Sequence, residues 1–135
     1  MLQRAIYVSD AVGNAGASIL SLAQILGVSD RNNRRDHVTG VLLVHQGQFL
    51  QVIEGARADI DRLLARLGRD PRHKAMRMLA NAAVETRRFG SWALGQCTLT
   101  PEAEEVLRGR PLSDLTAPEA EAILMCGCAP LDLSA

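Results

Sequence analysis

The sequence has few aromatic residues and no excess of charge of either sign. Its 135 residues include two phenylalanines, one tyrosine and one tryptophan, and 15 basic residues balance 15 acidic ones. Because a nucleic-acid-binding surface usually shows a clear basic excess, we expect no nucleic-acid partner. Basic clusters at Arg31, Arg34 and Arg35 and at Arg87 and Arg88 are interpreted as solvated helix ends or loops.

Long apolar runs are also missing, since none approaches the roughly 20 residues of a membrane-spanning helix. The first residues, MLQRAIYVSD, enter a strand almost at once and lack the apolar core of a signal peptide, so we expect a cytoplasmic protein that does not contact membranes. The cysteines, Cys97, Cys126 and Cys128, are odd in number and lack the spacing of a zinc site. We therefore expect reduced thiols and no metal.

Hydrophobic periodicity predicts an alternation of strands and helices within one domain. The predicted elements are a strand at 5–9, a helix from Ser18 to about Asn33, strands at 38–44 and 49–55 joined by a turn, a helix at 60–67, a loop at 69–73, strands at 76–85 and 92–99, and short helices at 102–107 and 118–125. This β-α-β-β-α-β-β order is typical of a ferredoxin-like α+β sandwich. We expect a mixed five-stranded sheet with two helices on one face, followed by short C-terminal helices.

One polar side chain falls where an apolar one is expected. In the strand FLQVIEG, Gln51 has the same phase as Phe49 and Ile53, and both faces of the strand are rich in apolar residues. If the first and third strands are neighbours, Tyr7 can hydrogen-bond to this amide. One interpretation is a buried pair that satisfies itself. However, a phenol cannot use two amide donors and two acceptor lone pairs, and the remainder favours water or a polar heterocycle as ligand.

The ordered string YVS…SDRNNRRDHVTGVLLVHQGQFLQVIEG…RDPRH…RRFGSWALG resembles the BLUF domain, the family of blue-light sensors using flavin. The resemblance extends from about Leu2 to Gly95 and implies a non-covalently bound flavin, with FAD preferred and FMN or riboflavin possible. It implies that Tyr7 gives an electron and a proton to the excited flavin. Gln51 would stand between Tyr7 and the flavin edge, and its hydrogen bonds would rearrange to give a reversible red-shifted state.

The resemblance assigns further residues around the flavin. Asn33 would hold the carbonyl edge of the ring and Asn32 would pack against it. The loop residues Asp70, Arg72 and His73 would border the other polar edge, with Arg72 as the candidate for the C2 carbonyl.

The fifth strand departs from the family pattern. Trp92 and Leu94 match the usual signal relay, but this chain has Trp-Ala-Leu where the family usually has Trp-Ser-Met. Leu94 lacks the thioether of methionine and has a similar volume, so packing is expected to survive while the relay from Gln51 is placed in question. Trp92 is equally well interpreted as a packing residue at the start of the strand.

The resemblance implies a flavin-binding domain at 1–98. The remaining residues, 99–135, are too few for a separate effector domain, and their apolar positions predict a helical extension that packs on the sheet. Such a sensor is expected to signal to a separate protein and to form a homo-oligomer. We expect no enzymatic activity, because no nucleophile–base pair, metal spacing or phosphate loop is present in the sequence. The alternative is a light-insensitive or flavin-free ferredoxin-like interaction module.

Overall fold

The computed structural model describes residues 2–12, 38–69, 73–89, 95–97, 99–126 and 128–130 as an α+β domain. Its elements are β1 (Leu2–Ala11), β2 (Thr39–His45), β3 (Gln48–Ala56), α1 (Arg57–Gly68), β4 (His73–Val84), β5 (Gly95–Cys97), α2 (Pro101–Leu107), a 3-10 helix (Leu112–Asp114), α3 (Ala117–Cys126) and β6 (Cys128–Pro130). The predicted helix from Ser18 lies outside the described residues. None of the helices described is long and apolar enough to cross a membrane.

The sheet has the strand order β4-β1-β3-β2-β5-β6, and its first four strands are the antiparallel core expected of a ferredoxin-like domain. β5 pairs with β2 in parallel, so the sheet is mixed. The expected number of five strands is wrong, because β6 pairs with β5 at one edge. This three-residue strand, Cys128–Pro130, is too short for its periodicity to be recognised in the sequence.

A two-residue turn connects β2 to β3 and fixes their register. Gln46 and Gly47 both have positive φ, at 48° and 76°, as a type I′ hairpin turn requires. The strands then pair from His45 opposite Gln48 to Thr39 opposite Glu54. Along β2, a Cβ atom at Gly40 would lie only 2.3 Å from the carbonyl oxygen of Val52, so this pairing needs a glycine there.

β3 is buried on both of its faces, from Phe49 to Gly55. On one face α1 contributes Ile60, Leu63 and Leu67 to a core that includes Tyr7 and Ile53, among other residues. The opposite face, which includes Leu50 and Val52, packs in a second core with residues of α2 and α3. β3 therefore contributes to both halves of the hydrophobic core, as β1 does with Ile6 and Val8 on one face and Ala5 and Tyr7 on the other.

The turn between α2 and α3 is held by one arginine. Arg110 donates to the carbonyl oxygens of Val106 and Leu107 at the end of α2, and to the carboxylate of Glu119 in α3 at 2.7 Å. Thr116 and Glu119 also cap α3 reciprocally, as in a capping box. The hydrogen bond from Arg110 and those from Thr116 lower the pKa of Glu119 from 4.5 to about 2.

β4 forms one edge of the described sheet and is irregular. Its pairing with β1 shifts register between Ile6 and Tyr7 and again between Val8 and Asp10, and Ala75 has a φ of 55°. His73 is the first residue of this strand. The prediction that the loop includes His73 is therefore wrong, because pairing of His73 with Ala11 extends the strand beyond its apolar run.

Candidate functional site

The candidate site is centred on two polar side chains that face each other across β1 and β3. Tyr7 lies directly opposite Gln51 in the antiparallel register. Both residues are almost fully buried, with relative exposures of 3% and 4%. The Tyr7 hydroxyl donates a hydrogen bond to the Gln51 Oε1 atom. The hydrogen bond expected from the strand phases is therefore present, and it fixes which end of the amide faces the phenol.

The orientation of the Gln51 amide leaves its donors for another group. Its oxygen accepts from Tyr7, so the two N–H bonds of Nε2 remain. The donor set thus fits a ligand that presents acceptor atoms, as the N5 atom and C4 carbonyl of an oxidised flavin do.

His73 closes the site at the end of α1. Its Nε2 atom lies 2.6 Å from the carbonyl oxygen of Leu67, and its Nδ1 atom lies 2.7 Å from the hydroxyl of Ser9. Because a carbonyl oxygen only accepts, Nε2 carries a proton, and in the neutral imidazole Nδ1 accepts from Ser9. The ring also packs beside Tyr7 and Phe49, with ring centroids 6.1 and 6.3 Å away.

The structure brings together three of the nine residues that the sequence predicted for the site and relay: Tyr7, Gln51 and His73. The roles given to His73 and to the others stay predictions. Those others, Asn32, Asn33, Asp70, Arg72, Trp92 and Leu94, lie outside the described residues. Within the described ranges, no group of three His, Cys, Asp or Glu residues could hold a metal ion.

Glu54 is a buried charged residue that the sequence interpretation missed. It has no exposed surface, and its carboxylate accepts from Arg4 Nε at 2.8 Å and from the backbone nitrogen atoms of Arg88 and Phe89 at 3.0 and 2.5 Å. Arg87 donates to the backbone oxygen of Glu54 at 3.0 Å. Arg87 is thus half-buried and only partly solvated, whereas its neighbour Arg88 is exposed, and both lie in a loop as predicted. A charged residue in a strand with two apolar faces was the available signal.

The chain is thus an α+β domain with a ferredoxin-like sheet and a buried tyrosine–glutamine pair. The amide N–H groups of that pair suit a planar polar ligand. The family model described as "BLUF: Sensors of blue-light using FAD" matches residues 2–95. The chain belongs to the BLUF family, and its domain is a blue-light sensor that uses a flavin. The matched region contains all nine predicted site and relay residues.

Known relatives and structures support this membership. The photoactivated adenylate cyclase subunit beta of Euglena longa is 35% identical over 91 residues, which are 67% of this chain and 11% of the relative. The chain thus spans about a tenth of that curated relative. The dark-state structure of the BLUF protein BlrB is 29% identical, with a TM-score of 0.75 and 91% of each chain covered. The ground-state structure of BlsA has a TM-score of 0.88 over 99% of this chain and 93% of its own, and at 19% identity it shows the fold alone.

Proposed function

We propose that Tyr7 and Gln51 form the photochemical switch of this blue-light sensor. The observation that carries the proposal is the buried hydrogen bond from the Tyr7 hydroxyl to Gln51 Oε1, which leaves the amide nitrogen to donate to a flavin. The family description names FAD, and FAD is the flavin we propose here. Asn32, Asn33, Asp70, Arg72 and His73 are proposed to border it. For His73 this requires a contact through the ring, because both nitrogen atoms are hydrogen-bonded to protein groups.

The two side chains have complementary roles in the proposed switch. When bound, a flavin supplies blue-light absorption and an excited state that accepts an electron. Tyr7, the single tyrosine of the chain, would give an electron to the excited flavin, and its phenolic proton would follow to the flavin through the hydrogen bond to Gln51. When both return to Tyr7, the Gln51 amide is left rotated or tautomerised. Its donor and acceptor positions are then exchanged, which strengthens hydrogen bonding at the flavin carbonyl and shifts absorption to the red.

The test is a visible spectrum of the purified chain in the dark, under blue light and after dark recovery. We expect a flavin spectrum that shifts slightly to the red and returns. Tyr7→Phe and Gln51→Leu should each abolish the shift. Gln48→Leu is the matched control, because Gln48 lies on the same strand but donates to Asp10 and Ser113, and it should keep the shift. A flavin-loaded protein in which Gln51→Leu still switches would refute the assignment of Gln51.

The same spectrum separates the proposal from its alternatives. A yellow protein that never shifts would indicate a light-insensitive BLUF domain, the outcome that Leu94 makes worth testing. A protein that stays colourless after addition of flavin would indicate an interaction module of the same fold. Release of the flavin by heat, followed by chromatography against FAD, FMN and riboflavin, would identify the ligand and test the assignment of FAD.

The light signal is proposed to be passed on by contact with another protein. This requires no enzymatic activity of the chain itself. We propose that residues 1–98 form the flavin-binding domain and 99–135 a helical extension on the sheet. The packing of α2 and α3 on the face of β3 opposite Gln51 supports this division. Trp92 and Leu94 are proposed as the relay, with a homo-oligomer or a separate partner as receiver. Sedimentation in the dark and under light would test the oligomer, and an unchanged monomer would refute it.

A further inference from the structure

The two faces of β3 carry different polar groups. Gln51 has the phase of Ile53, in the core shared with α1, whereas Glu54 has the opposite phase, that of Leu50 and Val52. Glu54 is thus three residues from the proposed switch and on the side of the C-terminal helices. A displacement of the β3 backbone at the switch would move the Glu54 carboxylate with it, because the two residues share one buried strand.

Glu54 holds two separate pieces of the chain. Its carboxylate accepts from the Arg4 side chain on β1 and from the backbone of Arg88 and Phe89. Residues 87–89 lie just before Trp92, the proposed relay residue. The hydrogen bonds to Glu54 therefore fix the residues that lead to Trp92 relative to β3, the strand that carries Gln51. Charge-assisted bonds of this kind are roughly twice as strong as neutral ones.

The same two arginines reach the C-terminal helix α3. Glu121 Oε1 lies 2.6 Å from Arg88 Nη1 and 3.4 Å from Arg4 Nη1. The Glu121 side chain is only 21% exposed, and that of Arg4 only 14%. Two carboxylates, one on β3 and one on α3, are thus bridged by the same two residues. Glu121 lies beyond the part of the chain that the family model matches, which ends at residue 95.

We propose that Glu54 is a positioning residue of the switch and that Arg4 and Arg88 connect it to Glu121. A change at Gln51 on β3 then alters how strongly α3 is bound to the sheet. This inference rests on the proposed function of Tyr7 and Gln51. The light signal reaches the C-terminal helices through these four residues. None of the four is assigned a contact with the flavin.

The test compares the flavin-loaded full chain with the variant Glu121→Gln. Glu119→Gln is the matched control, since it removes a glutamate from the same helix and breaks an ion pair of similar length, to Arg110 within the C-terminal segment. Hydrogen exchange of peptides covering 117–126 is measured in the dark and under light, beside the visible spectrum. In the dark, Glu121→Gln should raise exchange in α3 about two- to five-fold, as expected for loss of one partly buried ion pair.

Under light, the wild type should exchange faster in 117–126 than in the dark, whereas Glu121→Gln should give a light-to-dark ratio near one with its red shift intact. Glu119→Gln should keep the wild-type ratio. The inference is overturned if Glu121→Gln retains the wild-type ratio, or if the wild type shifts to the red with no change in α3. If the wild type shows no red shift, the proposed function fails and the inference fails with it, and the spectrum distinguishes that case.

Discussion

Replacement of Glu54 by glutamine should destabilise the fold far more than its nearly unchanged shape suggests. The carboxylate is fully buried and uses both oxygen atoms, one toward Arg4 and Arg88 and the other toward Arg88 and Phe89. Glutamine keeps one oxygen and places an NH2 group where the second was. The donors that faced the replaced oxygen, from Arg4 and Arg88 or from Arg88 and Phe89, then face the NH2 group, which is itself a donor. Arg4 also loses its buried counterion and keeps only Glu121, at 3.4 Å.

The expected loss can be worked from these contacts. A hydrogen bond to a charged group contributes about 1.5–3 kcal/mol, and a buried donor left without an acceptor costs about 1–3 kcal/mol. Together they give about 2.5–6 kcal/mol, and this interval contains the narrower range of about 3–5 kcal/mol found when one partner of a buried ion pair is removed, which we use here. For a domain stable by about 5–15 kcal/mol this is a large fraction. With an m-value of about 2 kcal/mol/M, the urea midpoint should fall by about 1.5–2.5 M.

Urea unfolding followed by circular dichroism measures this change. Glu85→Gln is the control, because Glu85 is exposed and lies close to the same loop, and its substitution should stay within about 0.5 kcal/mol of wild type. A midpoint for Glu54→Gln that equals the control would refute the reasoning. It would mean that the Glu54 carboxylate is not the group that holds residues 87–89 against β3.

Three further outcomes follow from the structure. Gly40→Ala should destabilise the domain by roughly 2 kcal/mol or more and lower its melting temperature, because the added Cβ atom would meet the Val52 carbonyl oxygen; an unchanged melting temperature would refute that approach. His73→Leu should reduce the free energy of unfolding by about 1–3 kcal/mol, because Ser9 is buried and loses its partner, and equal urea midpoints would contradict this. Glu119 has a folded pKa of about 2, below its ordinary 4.5, so its contribution is present above pH 4.5 and disappears as pH falls toward 2. The stability difference between wild type and Glu119→Gln should therefore shrink over that window, and a difference independent of pH would contradict it.

The sequence predicted those features that depend on local periodicity. The i, i+3, i+4, i+7 spacing at 60–67 corresponds to α1, and the strand phases placed Tyr7 and Gln51 on one side of the sheet. The ferredoxin-like order of the four long strands followed from the alternation of elements. Family resemblance was needed to assign a flavin, because a buried tyrosine–glutamine pair alone is also compatible with a purely structural role.

Features that depend on distant pairing could not be predicted. β6 is a strand because β5 offers it an edge, and three residues carry no periodic signal. His73 belongs to β4 because it pairs with Ala11 across the sheet, which no local pattern around RDPRH indicates. The carboxylate of Glu54 meets Arg4, 50 residues away in sequence. Its burial therefore depends on contacts that form only when β1, β3 and residues 87–89 assemble.

The central position of β1 has a consequence for the order of folding. β1 precedes the other described strands in the sequence, yet its partners are β3, from Gln48, and β4, from His73. The β2–β3 hairpin has a two-residue turn and can form locally within about 1–10 μs. β1 must instead close a loop of tens of residues before it gains any pairing. We therefore expect the Tyr7–Gln51 hydrogen bond to form later than the β2–β3 hairpin, because it needs β1 to be paired with β3.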